Sequence, residues 1–228
     1  NHVAELDAMA ESLHSQLRAA SSLAGELAPA LQRLLKQRHG ITVRQAETND
    51  GQGLRRFDAD ARALLLHPDL EAGQRSFQLA VQLAFLEAGS LLGDLVAGTA
   101  FQPDEARALA RIGLASYFAG ALVLPYGAFR TAAESLGYDI DLLARRFGVS
   151  VETVCHRLST LQRPDAPGVP FFFIRVDRAG NISKRQSATD FHFSRTGGTC
   201  PLWNVYEAFT QPDKVLTQLA QMPDGRTY

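Results

Sequence analysis

The chain has 228 residues, 46% of them hydrophobic and 21% charged, with a net charge of −1. That is apolar material for one large core or two small ones. Without a basic excess, there is no electrostatic sign of a free-standing nucleic-acid binder. The positive charge is nearly all arginine, with lysine only at positions 36, 184 and 214; arginine forks suit bidentate capture of phosphate. Cys155 and Cys200 are too few and too far apart for a disulfide framework or a CxxC metal pair, so a reducing, cytoplasmic compartment is expected. The opening NHVAELDAMAESL is polar and amphipathic, unlike a signal peptide. No apolar run approaches the ~20 residues of a membrane span. The first residue is Asn1 rather than Met, and the chain is expected to be a fragment of a longer protein.

In chain order, Leu6, Met9, Leu13 and Leu17, then Leu27, Leu31, Leu34 and Leu35, fall at helical spacing and predict one or two helices over 3–38. Gly40 stands where a C-cap glycine would. ITVRQAE alternates as a half-buried strand, NDGQG is a turn, and RRFDADARALLLH holds a second and third short strand. One long helix is predicted from about 70 to 93. A second runs from 104 to 123, closed by Pro125, and three more cover 127–136, 139–147 and 151–161. RPDAPGVP, with three prolines and a glycine, reads as a linker over 163–170. It separates a domain at 1–163 from a second at 171–228. There FFFIRVD and ISKRQ flank AGN as a β-hairpin, DFHFSR alternates as a further strand, a helix is expected at 212–221, and another strand starts at Arg226. The fold class expected is α+β: a mostly helical domain with a small sheet, then a smaller mixed β/α domain, truncated at its end.

The informative stretch is RSFQLAVQLAFLEAGSLL, residues 75–92. It resembles the active-site helix of the ImmA/IrrE-type metallopeptidases, whose pattern is F-x-L-A-H-E-x-G-H; Phe77, Leu79 and Ala80 match. The family's zinc histidines fall on Val81 and Phe85 and its catalytic glutamate on Gln82. The next helix, IGLASYFAGALVLP, resembles the family's following helix through Ala115, Phe118, Ala119, Leu122 and Pro125, and the third zinc ligand falls on Ile112. A catalytic zinc needs three N, O or S ligands. Val81, Phe85 and Ile112 offer none, and Gln82 takes no proton from water at neutral pH. A chain without catalysis or bound metal is therefore expected.

On one helix, Gln78, Val81, Gln82, Phe85 and Ala88 share a face, with Ala108, Ile112, Ala115 and Ala119 expected opposite. The peptidase cleft would become a narrow apolar pocket with one or two amides, suited to a short acyl chain and its carbonyl. The competing reading is that Phe85 and Ile112 simply fill the old cleft.

GNISKRQSATDFHFSRTGGTCPLWNVYEAF is similar to the C-terminal domain of the short-chain fatty acyl transcriptional regulators, most specifically through GGTCPLWN, Gly197 to Asn204, and Ala208-Phe209. With the peptidase-like stretch, the resemblance covers nearly the whole chain. It implies an upstream helix-turn-helix domain that contacts DNA. It also implies a short acyl-CoA such as propionyl-CoA as effector, and control of propionate catabolism through the methylcitrate cycle. A homo-oligomer is expected by analogy with bacterial regulators. The family's C-terminal cysteine cluster implies an iron–sulfur site, but one thiolate, Cys200, cannot hold a [4Fe–4S] cluster, which would need the full-length protein. The cations a coenzyme A ligand would require are sought at Lys184 and Arg185, at Arg195, and at Arg145, Arg146 and Arg157, with Phe101, Tyr117 and Tyr126 as stacking or gating aromatics. An alternative to sensing is a relic peptidase or acyl-CoA-processing enzyme.

Two further patterns compete for attention. LARRFGVSVETVCHRLSTL, residues 143–161, scans as a helix-turn-helix that would read DNA through Glu152, Thr153, His156 and Arg157. Its second helix is poor in cations, and the metallopeptidase resemblance makes it a structural helical pair. Cys155 and His156 are sequence neighbours, and neighbours on a helix do not face each other.

Overall fold

The computed structural model describes residues 2–19, 27–46, 53–98, 104–188 and 204–219, and singly 221, 225 and 227. It divides into two compact units, Asn1–Val169 and Pro170–Tyr228. The first is helical with a small sheet and the second is built on a β-hairpin, an α+β organisation.

Helix α1 (Ala4–Ala19) turns Leu6, Ala10, Leu13 and Leu17 inward, and Asp7 with them. Helix α2 (Leu27–His39) buries Leu31 and Leu35. It stops at Gly40, whose φ of +66° is comfortable without a Cβ and whose N–H bonds the Lys36 carbonyl. The chain then enters β1 (Thr42–Gln45), β2 (Arg55–Asp58) and β3 (Ala63–Leu66), ordered β1-β3-β2. The central β3, parallel to β1 and antiparallel to β2, carries the buried Ala63, Leu64 and Leu66. Strand β2 is an edge, and its Arg55 pairs with Leu66.

The predicted long helix is two: α3 (Ala72–Glu87) and α4 (Gly89–Ala97), bent by 75°. The apolar spacing runs through in phase, which is why the pattern reads as one helix. At Ala88 the backbone leaves helical geometry (φ −109°, ψ 14°), and the following Gly89 starts a new direction. A Cβ on Gly73, at the start of α3, would stand 2.4 Å from the Gly148 carbonyl oxygen, so α3 enters the core by close backbone contact.

Helix α5 (Asp104–Val123) packs on both α1 and α3. By length and composition it could cross a membrane, which the patterning did not suggest. Its second half is core, with Ala115, Phe118, Ala119 and Leu122 fully buried; Phe118 alone contributes about 1.5–3 kcal/mol by transfer from water. Helices α6 (Tyr126–Ser135), α7 (Ile140–Phe147) and α8 (Val151–Leu158) complete the unit. Asp139 and Ser150 cap α7 and α8 by accepting the N–H groups of Leu142 and Thr153.

In the second unit β4 (Phe172–Val176) and β5 (Ile182–Ser187) form the antiparallel hairpin. Asp177 organises its turn, accepting the N–H groups of Ala179 and Asn181 at 2.9 Å each and the Asn181 side chain. These bonds from Asn181 hold the Asp177 carboxyl below its usual range. The expected helix at 212–221 is absent from 212–219. A one-turn helix, α9 (Val205–Ala208), lies earlier instead. Val215 and Leu219 are 76% and 89% exposed, so within these residues there is no apolar surface to stabilise a short helix. The Leu216 carbonyl is taken by the Asn204 side chain. The strand expected over DFHFSR lies outside the described residues, as does Arg226, although Gln221 and Thr227 pair in a bridge.

Candidate functional site

Helix α3 presents the site the sequence singled out. Val81 and Gln82 are buried, and Gln78 and Phe85 are half-buried. The Gln82 side-chain oxygen accepts a 2.5 Å hydrogen bond from Arg55 Nη1 on the edge strand β2. The Arg55 guanidinium lies 5.6 Å from the centroid of the Phe85 ring, and that of Arg111, from α5, lies 6.0 Å from the same centroid. Arg111 also reaches the Gly89 carbonyl at 3.5 Å. Burial pulls the Arg55 pKa down. Three elements thus converge on one aromatic ring and carry two guanidiniums and an amide.

These residues do not fit the zinc of a metallopeptidase. The positions that the metallopeptidase resemblance assigns to the three ligands hold hydrocarbon, and the position that it assigns to the general base holds an amide bonded to a cation, the opposite of what would attract Zn²⁺. Nor do they make the enclosed apolar pocket expected. Ile112 is 51% exposed, and Ala108 is exposed with it, because the first half of α5 projects beyond the core. The face is open, with Phe85 at its centre. The described residues also form a separate open depression of about 350 Å³, lined by Ala28, Pro29, Gln32, Leu70, Ala72 and Arg75, where α2 meets the start of α3.

Three other candidate residues belong to the interior. Arg157 is 3% exposed. Its Nη2 meets Asp7 Oδ1 at 2.6 Å, its Nε meets the Leu124 carbonyl at 2.9 Å, and its Nη1 meets Thr160 at 3.3 Å. The expectation that it faces ligand phosphates is corrected: Asp7 already supplies its anion. For the same reason it cannot reach DNA. Tyr117 donates to the other Asp7 oxygen at 2.7 Å and accepts the Val3 N–H. Burial, with the Asp7 carboxylate beside it, raises its pKa. Tyr126 is buried, donates to the Ala166 carbonyl and accepts the Arg163 N–H. The Arg163 guanidinium stacks on its ring 4.1 Å from the centroid and pairs with Glu11 at 2.6 Å. These tyrosines tie α1 and the segment after α8 to the core. Burial also pushes the Cys155 thiol up, so it is a poor nucleophile.

In the second unit Lys184 and Arg185 are consecutive on β5, so their side chains leave opposite faces of the hairpin. They do not make one cradle. Arg145 and Arg146, at the end of α7, are exposed. Phe101, Arg195 and Cys200 lie outside the described residues.

The sequence did not point to Arg55, Arg111 or Asp7. Asp7 left a trace, since it lies among the apolar positions of α1, where an acid is buried only with a partner. Arg55 left none, because its partner Gln82 is 27 residues away.

Residues 36–159 match the model of the IrrE N-terminal-like domain, and residues 160–228 match that of the short-chain fatty acyl coenzyme A regulator C-terminal domain. The whole chain aligns with the HTH-type transcriptional regulator PrpR of Mycobacterium tuberculosis at 52% identity, covering 46% of it. It aligns with the HTH-type transcriptional regulator RamB of the same species at 50%, covering 48%, so the chain spans about half the length of these curated relatives. A propionyl-CoA carboxylase regulator of Cereibacter sphaeroides is 54% identical over 169 residues, which are 74% of this chain and 37% of that protein. A solved Mycobacterium tuberculosis transcriptional regulator superposes with a TM-score of 0.92 at 52% identity, across 100% of this chain and 68% of that one.

Proposed function

Since the chain belongs to the family of short-chain fatty acyl coenzyme A regulators with an IrrE-like core, we propose that it is the effector-sensing region of a transcriptional regulator. It binds a short acyl-CoA such as propionyl-CoA, without catalysis, and controls genes of propionate and short-chain fatty acid breakdown in the cytoplasm. DNA is read by a helix-turn-helix module of the kind named in the two mycobacterial relatives. Occupancy of the effector site biases that module by favouring one of two arrangements of the protein.

One observation supports this reading: residues 36–159 match the IrrE-like domain, while the positions that the resemblance assigns to its chemistry carry no metal ligand or base. Val81, Phe85 and Ile112 stand where ligands to zinc would stand, and Gln82 stands where the base would. What remains at the surface is an aromatic ring, an amide and two guanidiniums. An acyl thioester offers groups for each: a short apolar tail, a carbonyl and phosphates. The relatives' names, one of which specifies a propionyl-CoA carboxylase regulator, support the choice of effector.

The test is to incubate the chain with propionyl-CoA while following melting temperature and free thiol together. At 100 times Kd, binding adds about 2.7 kcal/mol to stability, a rise of several degrees in Tm, with no thiol released. Steady thiol release would instead make the protein an acyl-CoA hydrolase.

A further inference from the structure

Five arginines of the first unit meet a carboxylate: Arg38 meets Glu87, Arg107 meets Asp104, Arg130 meets Glu134, Arg157 meets Asp7 and Arg163 meets Glu11. Arg55 and Arg111 have no carboxylate within 4 Å among the described residues, yet the fold brings both to within 6.0 Å of one ring centroid. They come from separate elements, the edge strand β2 and the exposed half of α5, and both approach the Phe85 ring of α3. Two like charges so placed repel. The ring's quadrupole attracts each cation by about 0.5–1 kcal/mol at an exposed site.

Gln82 decides how the arrangement reads. It fixes the Arg55 fork through a 2.5 Å bond and, being neutral, leaves the guanidinium's charge in place. A glutamate at the same position would cancel that charge. The other donors of Arg55 have no acceptor among the described residues, and Arg111 reaches only the Gly89 carbonyl. A guanidinium presents five donors in a fork that matches the two oxygens of a carboxylate or phosphate.

We propose that Arg55 and Arg111, gathered at the Phe85 ring and with Arg55 held by Gln82, form a binding site for a carboxylate or phosphate group. The assignment deepens the acyl-CoA reading of the same face and rests on it for the choice of one probe, while the geometry alone names the two arginines. Burial of Arg55, which disfavours its charged form, adds that an anion arriving there lowers the cost of keeping the charge.

The experiment is calorimetric titration of the full chain with three probes: propionyl-CoA, inorganic phosphate and sodium propionate. It is repeated on Arg55→Gln, Arg111→Gln and Gln82→Glu, with Arg130→Gln, whose partner is Glu134, as a control. At least one probe should bind the parent chain, and its affinity should fall tenfold or more in all three site variants and hold in the control. A loss shared by propionyl-CoA and phosphate assigns the site to phosphate; a loss seen with propionate assigns it to carboxylate, and either supports the proposal. Should a variant fail to fold, the arginine Nε–Hε resonances of the parent chain are followed instead, and two of them should shift as the bound probe saturates. Binding of no probe, unchanged affinity in the folded variants, or unmoved arginine resonances would overturn the site. Propionyl-CoA binding that ignores the variants overturns the site but leaves the sensor reading. Phosphate or propionate binding that needs them, with no propionyl-CoA binding, does the reverse.

Discussion

Two arginine clusters of the first unit are built from the same side chains and behave in opposite ways. Around Asp7, every charge has a counter-charge: Arg157 and Tyr117 take its two oxygens, and next to them Arg163 closes on Glu11 while stacking on Tyr126. Around Phe85, Arg55 and Arg111 have an aromatic face and a neutral amide but no acid among the described residues. The first cluster is completed by the chain itself and serves to hold α1 against α5 and α8. The second has no such counter-charge among the described residues, which is why we propose that an anion from outside completes it. The difference between architecture and binding site in this unit is whether the protein provides the anion.

The comparison is broken most strongly by removing Asp7. Asp7→Ala leaves Arg157, 2% exposed in its side chain, as an uncompensated buried charge, and should cost about 3–5 kcal/mol in urea unfolding. The double change Asp7→Leu with Arg157→Met should recover most of that loss, because an apolar pair of similar volume is often as stable as a buried ion pair. If Asp7→Ala costs less than about 1 kcal/mol, the network is not what fixes α1.

Next in size is Tyr126→Phe. It strips the Ala166 carbonyl and the Arg163 N–H of their partner and should lower stability by about 1–3 kcal/mol, as unsatisfied buried groups do, with no effect on anion affinity. A loss of affinity instead would return Tyr126 to the ligand site.

What could be read from the sequence follows the same division. Helices with a single buried stripe were legible: α5 begins and ends where its pattern predicts, and Gly40 ends α2. So was the shared face of Val81, Gln82 and Phe85, because all three lie on one helix and their spacing is local. The bend at Ala88 was not, since the apolar stripe continues through it. The helix expected at 212–221 rested on composition in a stretch whose apolar side chains find no partner surface. Nor could Arg157 and Asp7 be matched across 150 residues, or Arg55 be seen as the neighbour of Gln82. Long-range pairing of polar groups has no periodicity to betray it. Reading Ile112 as pocket-lining assumed that its side of α5 is covered, whereas Ile112 is 51% exposed.

Glu11 gives a smaller, pH-dependent effect. Burial would raise its pKa, but the hydrogen bonds from Arg163 and the Gly127 N–H, with the Arg163 charge, more than reverse this and hold it below the ordinary 4.5. A depressed folded-state pKa contributes stability above the unfolded value that disappears as pH falls through the folded one. Relative to Glu11→Gln, the parent chain should therefore be more stable at pH 7 by under ~1 kcal/mol, as for a partly exposed pair, and the gap should close as pH falls below 4.5 in thermal melts. A gap that widens in acid would reverse the sign of the interaction.

The smallest change is expected where the architecture is indifferent. Arg55→Gln removes a half-buried charge that has no carboxylate among the described residues, and should move stability by no more than about 0.5 kcal/mol in either direction, against the several lost at Asp7.

Hydrogen exchange of the chain, free and saturated with propionyl-CoA, tests most directly whether the former peptidase cleft has become the effector site. Slower exchange in the peptides covering 53–58, 76–88 and 108–114, with the already satisfied segment around Asp7 much less affected, is the predicted result. Saturation that leaves those three peptides exchanging as before would contradict it.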